Sequence, residues 1–192
     1  MKAIVIYFSR ADENYFGGAL RYINKGNTEI VAEEIQIITN ADLFKVERKI
    51  DYAKDYMTCI EEVKVEQKDR ARPELKAYLD DISNYDVIFI GPPIFYYEMS
   101  GQMKTLIDRA YSLYSWNYKF KEVYFFSVAA EDEEETPSKA INGLLGWIDC
   151  FEGIELKGTL FVGDVNDPND ILKNKKMHCR IYWILQYKKI TS

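Results

Sequence analysis

Residues 85–104, YDVIFIGPPIFYYEMSGQMK, decide how this chain is read. Tyr85 to Ile90 is a short apolar run rich in β-branched and aromatic residues, which predicts a buried strand. Gly91-Pro92-Pro93 ends the run and stiffens the loop behind it. From Ser100 or Gly101 onward, Met103, Leu106, Ile107, Ala110 and Leu113 recur at helical spacing. Strand, rigid loop and helix are one unit of a parallel α/β sheet.

The same unit repeats on both sides. Ala3 to Phe8 is expected as a strand buried on both faces, followed by a helix over Asn27 to Thr39 with Val31, Ile35 and Ile38 on one face. Ala41 to Glu47 reads as the second strand. Ala53, Met57, Ile60 and Val63 mark a charged helix ending near Arg72-Pro73. Glu122 to Ala129 is strand four. Thr136 is placed to cap a helix with Pro137 at its first position, and Ile141, Leu144, Leu145 and Ile148 form its stripe. Glu155 to Gly163 is strand five, and Asp167-Pro168 opens a last helix with Met177, Ile181, Ile184 and Leu185 on its buried face. The alternation predicts an α/β fold: a doubly wound five-stranded parallel sheet with helices on both faces. Residues 1–192 are read as one domain, with an insertion at 10–25 and a helical tail at 174–192.

Composition narrows the partners. The 192 residues carry a formal net charge of −6, a poor basis for nucleic-acid binding, which needs a basic field. Cys59, Cys150 and Cys179 lie far apart, so no disulfide framework, zinc site or compact iron–sulfur motif is expected. No stretch has the length of a membrane span or the pattern of a leader. A soluble, cytoplasmic protein with no metal and no membrane partner is the expectation.

In such sheets ligands bind beyond the carboxyl ends of the strands. After strand one come Ser9, the insertion, and then Gly26-Asn27-Thr28-Glu29 at a helix start. Free N–H groups and the helix dipole there suit a phosphate. A bare helix terminus would look the same. After strand three, Phe95, Tyr96 and Tyr97 stand consecutively on the stiff loop. Exposed aromatics suit stacking against a planar heteroaromatic ring, or filling a subunit interface. There is no Gly-x-Gly-x-x-Gly after the first strand and no Gly-Lys-Ser/Thr anywhere, which removes the dinucleotide fingerprint and the P-loop. Ser9-Arg10, where phospho-acceptor receivers need aspartates, removes that reading too.

Tyr7-Phe8-Ser9 with Gly26-Asn27-Thr28-Glu29, and Gly91-Pro92-Pro93-Ile94-Phe95-Tyr96 with Met99-Ser100-Gly101-Gln102-Met103-Lys104, resemble the flavodoxin-like superfamily. The second set is most similar to its NAD(P)H-dependent FMN reductase and iron–sulfur-flavoprotein-related branch. The resemblance implies that Ser9, Asn27 and Thr28 hold the phosphate of FMN. It implies that Pro93, Ile94, Phe95 and Tyr96 line the isoalloxazine ring, with a third contact at Ser127 after strand four. Ser9 and Gly26 can share one phosphate only if the ends of the insertion meet. Tyr15, Phe16 or Tyr22 of the insertion could then cover the flavin.

The function so implied is that of an FMN oxidoreductase taking electrons from NAD(P)H and passing them to a quinone, a flavin or a redox protein. A homodimer is the implied assembly. The competing readings are a flavodoxin-type electron carrier, favoured by the acidic run Glu131 to Glu135, and a flavin-free interaction domain. Asp108 and Arg109 are expected to pair, and the lone His178 is not expected to bind metal.

Overall fold

The computed structural model of the protein describes residues 1–71, 73–79, 81–110 and 118–174. Strand β1 (Ala3–Tyr7) runs parallel to β4 (Asp42–Lys45) on one side and to β5 (Val87–Gly91) on the other. With β8 (Glu122–Val128) and β9 (Glu155–Val162) they form a five-stranded sheet in the order β4-β1-β5-β8-β9. The expected doubly wound sheet is what forms. Its continuous apolar runs are the central strands, since a strand covered by helices on both faces has no polar side to show. The two-residue period then sorts the core. Ile4, Ile6, Ile88 and Phe125 join one cluster, and Val5, Tyr7, Phe89 and Phe126 the other.

Helix α1 (Asn27–Thr39) packs Val31, Ala32 and Ile35 into the second cluster. Helices α3 (Gly101–Arg109) and α4 (Ser138–Ile148) pack Met103, Ile107, Leu144 and Ile148 into the first. Ser100 caps α3, its hydroxyl accepting from Met103 N at 3.4 Å. The stripe residues Leu113 and 177–185 lie outside the described residues, as do Trp116 and His178.

Four expectations need correcting. Helix α2 (Tyr56–Asp69) does not bury its Met57 stripe; Met57 is exposed and Cys59 is the buried residue. The reason is its surroundings: Cys59, Ile60 and Val63 border a cleft instead of a flat sheet face. Thr136 caps nothing. The turn before α4 closes through Thr136 N to Glu133 O and Ser138 N to Glu135 O, Pro137 becomes the cap residue, and the Thr136 hydroxyl is buried with no hydrogen-bond partner. No helix opens at Asp167-Pro168; the short α5 (Asp170–Lys173) begins after a left-handed Asn169 and ends at an extended Asn174. Asp108 pairs with Lys104, one turn back on the same helix, in place of Arg109.

The insertion is an antiparallel hairpin of β2 (Asp12–Phe16) and β3 (Ala19–Ile23). Its two-residue loop is Gly17-Gly18, both at positive φ, as the right-handed twist of a hairpin requires. A second, smaller hairpin, β6 (Ile94–Phe95) and β7 (Glu98–Met99), follows β5.

Burial leaves a mark on titration. Tyr85 donates to Asp42 at 2.8 Å, and burial together with that carboxylate pushes its phenol up to about 12. Burial and Glu122 do the same to Tyr124, also to about 12. Because the folded phenols ionise later than unfolded ones at 10.0, stability is full below pH 10 and falls as pH rises toward 12. Absorbance titration at alkaline pH, run beside circular dichroism, should show these phenols ionising together with loss of structure.

Candidate functional site

Chain order and spatial order part company between β1 and β5, and the cleft opens at the carboxyl ends of those strands. It measures about 1050 Å³. Its lining includes Ser9, Asn27, Thr28, Pro93, Ile94, Phe95 and Tyr96, so seven of the eight residues expected at the site share one cavity.

At the α1 end of the cleft the two ends of the insertion do meet. Gly26 has extended backbone and precedes α1 with no side-chain cap. A Cβ on Gly26 would lie 2.2 Å from Ser9 Oγ and 2.5 Å from the Arg10 carbonyl oxygen. Ser9 Oγ accepts from Glu29 N at 3.2 Å, and Gly26 O accepts from Glu29 N and Ile30 N. The N–H groups of Asn27 and Thr28 find no acceptor among the described residues. They are the first-turn donors that a helix leaves open. Ser9 and Thr28 are themselves buried. Glu29, the acid of this turn, is held by Lys45 at 2.8 Å and accepts from Tyr7 OH at 3.4 Å, so its charge is offset beside the site. Burial, then Glu29, pushes the Tyr7 phenol up.

At the other end Pro93 forms a parallel bridge with Val128, tying the loop after β5 to the last residue of β8. Ile94 is buried in the core and anchors the β6–β7 hairpin. Tyr96 and Tyr97 make its turn with φ of 52° and 66°. Left-handed tyrosines in succession cost backbone strain that Asn-Gly would avoid. The turn leaves Phe95 52% and Tyr96 98% exposed.

Ser127 is placed differently. It is buried in β8 on the face of Val123 and Phe125, its hydroxyl has no hydrogen-bond partner, and it does not line the cleft. Val128, Ala129, Ala130 and Glu131 line it instead. Gly163 permits this: a Cβ there would sit 2.5 Å from the Glu131 carbonyl oxygen. Of the insertion's aromatics, Tyr15 and Phe16 line the cleft, whereas Tyr22 donates to Asp12 at 2.8 Å away from it. Sequence reasoning also missed a polar network along the cleft. Tyr52 donates to Glu66 at 2.8 Å, Gln102 donates to Tyr52 at 2.9 Å, and Arg48 pairs with Glu66 at 2.8 Å. Nothing in the spacing of these four residues joins them before the chain is folded. Among the described residues no cluster of three or more His, Cys, Asp or Glu side chains could hold a metal ion, and no helix is long and apolar enough to cross a membrane.

A parallel sheet in this strand order, with a cleft at its switch point running from a helix terminus to an aromatic loop, defines a flavodoxin-like protein. The chain belongs to the flavodoxin family, whose model, described as Flavodoxin, matches residues 19–159. Among solved structures it is similar to a flavoprotein in complex with FMN from Lactobacillus acidophilus, with 20% identity, a TM-score of 0.53, and coverage of 83% of this chain and 92% of that one. The Trp repressor binding protein from Bacillus subtilis is similar at 18% identity and a TM-score of 0.59, over 96% of this chain and 97% of the other. An NADH:FMN oxidoreductase in its apo form is similar at 10% identity and a TM-score of 0.56, over 100% of this chain and 90% of the other. These likenesses are of fold. No curated protein matches the chain.

Proposed function

We propose that the protein binds FMN in this cleft and acts as an NAD(P)H-dependent oxidoreductase. The observation that carries the reading is the pair of open N–H groups at Asn27 and Thr28, flanked by the buried hydroxyls of Ser9 and Thr28, in one cavity with the Pro93–Tyr96 segment. The donor set fits a phosphate: two amides and two hydroxyls at a positive helix end, with the neighbouring Glu29 paired to Lys45. The aromatic segment fits a flat ring. Bound FMN supplies hydride acceptance and the release of electrons to an acceptor.

The chain's own residues bind, orient and tune. Asn27, Thr28 and Ser9 anchor the phosphate. Pro93, Ile94 and Phe95 set the plane of the ring, and Glu131 places negative charge at the cleft wall. A carboxylate there opposes added negative charge on the ring and lowers its potential. No side chain is assigned an acid or base role.

Apo protein incubated with FMN and freed of excess should keep a flavin spectrum, and NADH or NADPH should bleach it. Thr28→Val keeps the shape and removes the hydroxyl. FMN affinity should fall about tenfold, the worth of one hydrogen bond to a charged group, with the fold unchanged by circular dichroism. Fluorescence titration measures the loss, and unchanged affinity would remove the phosphate assignment. The acidic run Glu131–Glu135 favours a second reading, an electron carrier that docks on a basic partner. A carrier would keep the flavin spectrum unbleached by either nicotinamide nucleotide.

A further inference from the structure

The β2–β3 hairpin occupies the interval between Ser9 and Gly26, and both of its ends are fastened to other parts of the fold. Its stem is held by Arg10. That guanidinium donates to the carbonyl oxygens of Ala53 at 3.0 Å and Lys54 at 3.2 Å, to Glu13 O, and to Asn14 Oδ1 at 3.2 Å. Glu13 N donates to Lys54 O at 3.2 Å, and the Glu13 carboxylate accepts from Tyr56 N at 2.9 Å. The Tyr15 and Tyr56 rings stack at 6.3 Å. At the tip, a Cβ on Gly17 would lie 3.2 Å from Asn166 O, and from the middle of β3 Arg21 pairs with Asp167 at 3.4 Å.

These anchors lie far apart in the sheet. Ala53 and Lys54 follow β4, Asn166 and Asp167 follow β9, and β4 and β9 are its opposite edges. A five-residue strand reaches about 17 Å, and the Gly17-Gly18 loop beyond it makes up the difference to the about 19 Å that five strands span from edge to edge. Asn14, Tyr15, Phe16 and Ile23 line the same cleft as Asn27 and Thr28, and Phe16 is buried there. The hairpin is therefore seated across the cleft rather than standing off in solvent.

We propose that this hairpin is a strap over the phosphate end of the cleft, that Arg10 keeps it fastened, and that FMN enters and leaves only when it lets go. The proposal rests on the FMN reading above. Arg10 is a positioning residue: it acts through the carbonyls and side chain that it grips, and the phosphate is held by Ser9, Asn27 and Thr28. Three backbone carbonyls facing one guanidinium form a grip that no shorter side chain reproduces.

A strap has a kinetic signature. It must open for binding and for release, so loosening it speeds both, whereas damage to the phosphate site speeds release alone. Stopped-flow flavin fluorescence on the full chain reads both rates, from mixing apo protein with FMN and from dilution of the complex. In Arg10→Ala the association and dissociation rates should each rise about tenfold, the factor carried by a charge-assisted hydrogen bond, with Kd changed by less than about threefold. Glu13→Gln, which keeps the side-chain shape, should raise both rates in parallel by a smaller factor. Circular dichroism checks that each variant is folded; if Arg10→Ala is not, Glu13→Gln decides the matter. Faster release with unchanged association, or no change in either rate, overturns the strap while leaving the FMN site standing. Failure of the unaltered protein to bind FMN overturns the site itself.

Discussion

Gly26→Ala is expected to weaken FMN binding by a hundredfold or more, at about 1.5–3 kcal/mol for each hydrogen bond to the phosphate that is lost. The new Cβ would lie 2.2 Å from Ser9 Oγ, which rotation of one side chain could relieve. It would also lie 2.5 Å from the Arg10 carbonyl oxygen and 3.0 Å from its carbon, which are backbone. The Ser9–Arg10 and Gly26–Asn27 segments must then move apart. Ser9 Oγ leaves Glu29 N, and the N–H groups of Asn27 and Thr28 no longer share a centre with it. The sheet is untouched, because Gly26 precedes α1 and pairs with no strand. Fluorescence titration should show the loss of affinity, and circular dichroism an unaltered fold. In the double variant Ser9→Ala with Gly26→Ala the backbone clash with Arg10 O remains, so affinity should fall well below that of Ser9→Ala alone.

Gly91→Ala should cost about 3 kcal/mol of folding stability, the upper range for forcing a methyl group into a packed core. Gly91 closes β5, pairs with Tyr7 of β1, and accepts from Phe8 N at 3.1 Å. A Cβ there would penetrate the Phe126 ring, 1.9 Å from Cζ and 2.3 Å from Cε2. Phe126 is buried in the centre of the sheet, packed with Val5, Tyr7 and Phe89, and has no space to turn into. The denaturation midpoint in urea should drop with little change in slope. Phe126→Leu in the same chain removes the ring and should restore part of the loss, so the two substitutions will not add. Additive losses would show that the clash is relieved in some other way. Gly91 also sets the start of Pro92-Pro93, so the conformation of the aromatic hairpin depends on this close approach.

How much of this was legible before folding follows from where each signal resides. The five strands were, because two-sided burial writes a run of apolar residues into the sequence itself, as in Ala3–Tyr7 and Val87–Gly91. The open helix start was legible from Gly26-Asn27-Thr28, a local pattern. The hairpin of the insertion carries a local signal as well, Gly17-Gly18 between two five-residue segments. Other features depend on contacts between distant segments. Cys59 faces inward and Met57 outward because α2 borders a cavity, a fact about its neighbours that its own spacing does not hold. Arg10 grips carbonyls more than forty residues away. Gly163 makes room for Glu131 beyond the neighbouring strand, and Ser127 is turned from the cleft because β8 stays paired with β9 through Val128. Tertiary packing decided each of these, and no local pattern stands in for it.

The central claim is that one cleft grips a phosphate at Asn27 and Thr28 and covers a flat ring with the Pro93–Phe95 segment. A crystal structure of the protein grown with FMN tests both halves at once. The expected density has phosphate oxygens within hydrogen-bonding distance of the Asn27 and Thr28 N–H groups and the ring against Pro93, Ile94 and Phe95. Density for FMN elsewhere on the molecule, or a cleft that stays empty at saturating FMN, would contradict it.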